Sequence, residues 1–350
     1  MPSKIKLKKP AGAILLALAV LTVVLSLIFV FVGNVGFFKN WLALSDPIKQ
    51  LNASYEPSAV QQLINGDVIV LEDEISRAVS LLTFDDEGNL REDSIRDQRL
   101  NAQLTQKFDD LEGITLSRRG EIYATTSFSR TSKGKQRPNR EKLLRLTFSD
   151  SGEILKQDAY TGFAEALEKS QLFQTLQEIG GDESIAIGDI NIEGLSFDKE
   201  SRQLLFGLKA PLVNDLSVIF YLQNPQQVLD GVAAPIIAES VSLLELYGGG
   251  IRSLFFDRKL DGYLIANEVN FGGGPKQSQL WFWSGKTEAA PIALILPTIE
   301  RMKNIEAISA AKVDGKDSIL LMSDDGSRKK KQAAHYALIQ YAAIESQISQ

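Results

Sequence analysis

The chain has no cysteine and a single histidine, His335, among its 350 residues. Without cysteine there are no disulfides, no thiolate metal sites and no cysteine nucleophile. With one histidine there is no multi-histidine metal centre. His335 lies in "QAAHYALIQY", which alternates like a strand, so it reads as a structural residue and no Ser-His-Asp triad can be built around it. Positive charge is also scarce away from the first forty positions. Five of the 38 basic residues and none of the 44 acidic ones fall there, which leaves a net charge of −11 on the remainder and argues against nucleic-acid binding.

What is present begins with an uncharged apolar run, Ala11 to Val32, preceded by Lys4, Lys6, Lys8 and Lys9. The run is long enough to span a bilayer, and basic residues stay on the cytoplasmic side. A cleaved signal peptide would have a shorter apolar core and a small-x-small cleavage site. The run instead continues into "VGNVGFFKNW". The reading favoured is an uncleaved signal-anchor over 11–38, with 1–10 cytoplasmic and the bulk of the chain periplasmic or extracellular.

Beyond it, a hexamer recurs: "DLEGIT" from Asp110, "NIEGLS" from Asn191, "GIRSLF" from Gly250 and "NIEAIS" from Asn304. A degenerate copy, "PSAVQQ" from Pro57, lacks the acid. Each is followed by further short β-branched or aromatic segments, such as "RQLLFGLKA", "LSVIFYL" and "SVSLLELY", separated by turn residues. Four strands per unit, repeated around a ring, make a β-propeller. The expected fold is therefore all-β, a five- or six-bladed β-propeller over 57–345 preceded by one N-terminal transmembrane helix. Residues 39–56 are a linker and ring-closing strand in which "IKQLNAS" completes the last blade. The long interval from Glu112 to Glu193 holds "GFAEALEKSQLFQTLQEIGG", whose apolar spacing predicts an inserted helix near 162–180. Trp281 and Trp283 alternate in one strand and read as packing residues.

In a propeller the first strand of each blade lines the channel, so Glu112, Glu193, Arg252 and Glu306 should converge near one mouth. The ends of second strands, Glu72, Asp73, Ser127, Lys209, Asn267, Glu268, Asp324 and Asp325, share that face. Converging carboxylates need compensation by a cation or by Arg252. Three readings stand side by side. The glutamates bond backbone groups of neighbouring blades, or they hold a divalent metal, or they act directly as acid and base. The only metal ligands on offer are oxygens, from Glu112, Glu193, Glu306 and Asp324, which suit Ca²⁺ or Mg²⁺. Arg252, Ser127, Lys209, Glu268 and Arg130 are candidate ligand-binding residues. With the basic loops "RTSKGKQRPNREK" and "GSRKKKQ" they suit an anionic small molecule or envelope component.

The "D-x-E-G-I" opening followed by a strand ending in polar residues resembles bacterial phytase-like and SdiA-regulated-like propellers. "EIYATTSFSRTSKGKQRPNREKLLRL", "LLFGLKAPL" and "GGGIRSLFF" look closer still to a bacterial propeller family with no assigned activity. The resemblance covers roughly residues 57–342. In related calcium-dependent lactonase-type propellers a glutamate of an "E-G" motif ligates the metal, which implies that role for Glu112 or Glu193. The His and Asn/Asp residues that those enzymes use elsewhere are missing here. The leading expectation is a membrane-anchored, divalent-metal-binding propeller with phosphoester or ester hydrolysis as its chemistry; the alternative is a non-catalytic binding or scaffold propeller of the cell envelope.

Overall fold

The computed structural model describes residues 47–72, 77–131, 133–180, 185–271 and 273–349. The apolar run 11–32 and Asp73 lie outside these residues. No helix among the described residues is long and apolar enough to cross a membrane.

The described chain opens with β1 (Ile48–Gln50) and continues into a first sheet of β2 (Pro57–Gln62), β3 (Val68–Glu72), β4 (Val79–Phe84) and β5 (Leu90–Glu92). After helix α1 (Ser94–Gln103) comes a second sheet, β6 (Leu111–Leu116), β7 (Ile122–Thr126), β8 (Leu143–Phe148) and β9 (Ile154–Tyr160). Helices α2 (Phe163–Glu168) and α3 (Gln171–Gly180) then lead to the third sheet, β10 (Asn191–Phe197), β11 (Leu204–Ala210), β12 (Ser217–Leu222) and, past α4 (Pro225–Leu229), β13 (Ser242–Leu244). The fourth sheet is β14 (Ile251–Asp257), β15 (Gly262–Val269), β16 (Gln277–Trp283) and β17 (Ile292–Leu294). After α5 (Pro297–Arg301) the fifth is β18 (Ile305–Val313), β19 (Lys316–Ser323) and β20 (His335–Gln340), with α6 (Tyr341–Ile348) behind it.

Each sheet is an antiparallel meander, and the fifth takes β1 as its outer strand beside β20. The first strands form a closed cycle: β2 packs on β6, β6 on β10, β10 on β14, β14 on β18, and β18 back on β2. The result is an all-β, propeller-like body of five four-stranded sheets. Between Glu112 and Glu193 the described residues hold the rest of the second sheet and α2 and α3, and no further sheet.

The alternation that marks each strand becomes burial on both faces, because every sheet packs against two neighbours. All five residues of β3 and of β7 are buried. Turn chemistry fixes the hairpins. Between β18 and β19, Asp314 and Gly315 take φ of 47° and 77°, and Val313 pairs with Lys316, as a two-residue hairpin turn with both central residues left-handed requires. The inserted helix near 162–180 is two helices, interrupted at Lys169–Ser170. Ser170 Oγ accepts from Phe173 N at 3.2 Å and starts the second one. Phe163, Leu167, Leu172 and Leu176 from this pair are buried against the third sheet.

Candidate functional site: the charged ring at the channel mouth

The hexamer can be read position by position once the strands are paired. Near the start of every first strand the register with the second strand slips by one residue. The slips fall between Pro57 and Ala59, Leu111 and Gly113, Ile192 and Gly194, Ile251 and Ser253, and Ile305 and Ala307. The extra residues are Ser58, Glu112, Glu193, Arg252 and Glu306. A β-bulge re-aims a side chain, and here it does so at the same place in all five sheets. The degenerate copy therefore begins one residue earlier than "PSAVQQ" suggests, and Ser58, not Ala59, stands where the others have Glu or Arg.

The following position is small in every copy: Ala59, Gly113, Gly194, Ser253 and Ala307. The reason is close approach of the next first strand. A Cβ on Gly113 would lie 2.6 Å from Leu195 Cβ, and one on Gly194 would lie 2.9 Å from both Ile251 Cγ2 and Leu254 Cβ. Two residues further on, the hydroxyls of Thr115, Ser196 and Ser309 accept the backbone N–H of Phe197, Phe256 and Gln62 in the next sheet, at 3.0, 3.0 and 3.2 Å. Ser58 joins its neighbour in another way, donating to Leu111 O at 2.5 Å.

Arg252 organises the charged position. Its guanidinium bonds Glu193 at 2.8 Å, bonds Glu306 on its other side, and donates from Nη2 to Asn304 Oδ1 at 2.7 Å. Lys209 Nζ reaches Glu193 Oε1 at 2.5 Å. Asn304 in turn donates to the Asp324 carboxylate at 3.0 Å and to its carbonyl at 2.8 Å. Glu193, Arg252, Glu306, Lys209 and Asp324 thus form one connected network. Burial pushes Glu193 up from the ordinary carboxylate range, against the pull of Arg252 and Lys209. Burial, together with the nearby charge of Glu56, pushes Asp324 up to about 6, although Arg252 pulls it down.

Of the remaining sequence candidates Glu112 adjoins this network and the others lie elsewhere. Glu112 is buried and lines, with Glu193, a channel cavity of about 10 Å³, which is at the lower limit for a single water. Ser127 belongs to a separate group, donating to Asp110, whose carboxylate also takes Arg140 at 2.8 Å. Glu268 approaches Lys276 at 3.8 Å. Arg130 is exposed and lies across Gly188. Glu72 is held by Ser54, Ser80 and Arg77, Asn267 takes Trp281 Nε1 at 2.9 Å, and Asp325 holds His335 Nδ1 at 2.8 Å. Trp281 and Trp283 are both buried. Sequence reasoning passed over Asn304, Asp110 and the Ser/Thr rung; the Ser/Thr that closes three of the hexamers was the available signal. Among the described residues no group of three or more His, Cys, Asp or Glu side chains is disposed to hold a metal ion.

No family model matches the chain, and no curated protein matches it. Solved structures similar to it include a putative oxidoreductase (glucose dehydrogenase) from Thermus thermophilus, 13% identical with a TM-score of 0.43, covering 84% of this chain and 100% of that one. The PQQ-bound aldose sugar dehydrogenase of Streptomyces coelicolor is 12% identical with a TM-score of 0.40, covering 84% and 99%. A putative gluconolactonase is 9% identical with a TM-score of 0.38, covering 84% and 92%.

Proposed function

We propose that this protein is a five-bladed β-propeller, held at the membrane by residues 11–38 with the propeller on the exocytoplasmic side, that binds an anionic envelope component non-catalytically. One observation carries the reading: Arg252 lies between Glu193 and Glu306 and bonds both. Two of the three ring glutamates are thereby engaged by a fixed cation. The rest of the motif, the small residue and the Ser/Thr, also serves contact between sheets. An anionic partner is favoured because the loops joining second to third strands on the mouth face carry exposed Arg130, Lys133 and Lys135 and exposed Lys329 to Lys331.

The metal reading retains one supporting observation, the water-sized cavity between Glu112 and Glu193. A Ca²⁺ or Mg²⁺ ion there would be held by those two carboxylates and would sit beside Arg252, an unfavourable neighbour for a divalent cation. The two readings separate in one experiment on the full chain: calorimetric titration with Ca²⁺ and, separately, with dextran sulfate. The expected result is no saturable Ca²⁺ binding, and dextran sulfate binding that weakens steeply with salt and with neutralisation of Lys329, Lys330 and Lys331. Saturable Ca²⁺ binding abolished by Glu112→Gln, with phosphoester turnover lost in the same variant, would overturn the non-catalytic reading.

A further inference from the structure

At the end of the strands opposite the mouth, the turns of the second and third sheets enclose a second cavity of about 190 Å³. Its floor is aromatic. Tyr123 and Phe197 are 2% and 7% exposed and stack with ring centroids 5.7 Å apart and planes at 4°. One wall is the start of α4, Pro225 and Gln226. That helix is seated by an ion pair to a buried arginine: Arg145, 3% exposed, donates to the exposed Asp230 at the helix end at 2.6 Å and to Asp158 of β9 at 2.5 Å. The cavity is therefore preformed, with its wall tied to the second sheet.

The rim is basic. Arg118, Arg119 and Arg202 stand on it. Arg118 is paired with Glu200 at 2.6 Å, while Arg119 and Arg202 have no ion-pair partner among the described residues. The one acid in the lining, Glu121, is engaged by Ser117 Oγ at 3.2 Å and faces Arg145 at 3.8 Å. The volume is close to that of a dry cavity that takes one benzene ring, roughly 150 Å³. An apolar floor with unmatched arginines above it suits a ligand with a flat apolar body and one negative end.

We infer that this cavity is a binding site for a monocyclic aromatic acid, its ring on Tyr123 and Phe197 and its anionic group on Arg119 and Arg202. This site is independent of the channel mouth and of the function proposed for it. The test is calorimetric titration of the full chain with benzoate and with neutral benzamide. Benzoate should bind saturably and about tenfold more tightly than benzamide, the preference expected from one charge-assisted contact. Arg119→Gln combined with Arg202→Asn should reduce benzoate to the level of benzamide. Both residues are exposed, and Asn tolerates the left-handed φ of 59° at position 202. Lys169→Gln, an exposed charge change outside the cavity, should leave the titration as it was. Failure of benzoate to saturate, equal affinity for benzamide, or undiminished binding in the double variant would each overturn the assignment.

Discussion

Arg252 is the residue on which the charged ring depends. Removing one partner of a buried ion pair leaves uncompensated charge, at a cost of about 3–5 kcal/mol, whereas replacing the whole group with neutral side chains is often close to neutral. Arg252→Met should therefore lower stability by about that amount in denaturant titration, and adding Glu193→Gln and Glu306→Gln to it should recover most of the loss. A triple variant no better than the single one would show that Arg252 acts through packing rather than charge. Asp324 gives a pH signature. Its carboxyl moves from an ordinary 3.8 to about 6 on folding, so the folded state binds this proton more readily than the unfolded one. That contribution favours folding below 3.8, is lost as pH rises through 6, and leaves a buried charge above it. Asp324→Asn should stabilise the protein by about 3 kcal/mol near pH 8 and change little near pH 3.5; equal effects at the two pH values would show that the carboxyl titrates normally. The letters of the ring were legible in the sequence, since Glu, Arg and Glu recur in phase. Of their partners, Lys209 and Asp324 were legible as second-strand ends, and Asn304 was not. Asn304 precedes its strand, at a position that is Asp, Asn or Gly in the other full copies, and the degenerate copy carries no charge at Ser58 that would align it with the other bulged positions.

Among the elements, the strands were the easiest to foresee, because β-branched and aromatic runs bounded by turn residues leave few alternatives. Helix α1 escaped notice for a physical reason. In "SIRDQRLNAQ" only Asp97 and Leu100 are buried, so there is no apolar stripe to find. Its one local signal is Asp93, whose carboxylate caps the N–H groups of Ile95 and Arg96. Asp97 then turns inward to Arg77 at 2.9 Å and to Leu81 N at 2.8 Å, a polar anchor in place of an apolar one. The closing strand β1 was readable from "IKQLNAS" because that segment had no unit of its own. Leu51, 3% exposed, follows it and donates its N–H to Ala334 O at 2.8 Å. Leu51→Ala should cost about 3 kcal/mol and should raise amide exchange in β20, which β1 covers, more than in β7, which lies inside its own sheet. A uniform rise in exchange across both strands would mean that β1 is not a separately opening unit.

At the scale of the whole molecule, basic loops gather on one face of an acidic chain, the arrangement on which the proposed anionic partner rests, and the two candidate sites lie at opposite ends of the strands. The number of sheets could be counted from the repeat, although the interval from Glu112 to Glu193 left room for a sixth; that room is taken up largely by α2 and α3. What the repeat could not reveal was which contacts make the cycle, since these depend on glycine positions and hydroxyls that serve the neighbouring unit rather than their own. The closure by β1 has a consequence for synthesis. Gln50 bonds Ala333 across 283 residues of chain. At a translation rate of about 5–20 residues per second, the first strand leaves the ribosome roughly 15–60 s before its partner exists. Until then its backbone has no strand to pair with, and the four sheets made in the interval form an open arc. Any pause or truncation of translation before β20 leaves that arc with two exposed edges, so completion of the ring reports that synthesis has run through to its last sheet.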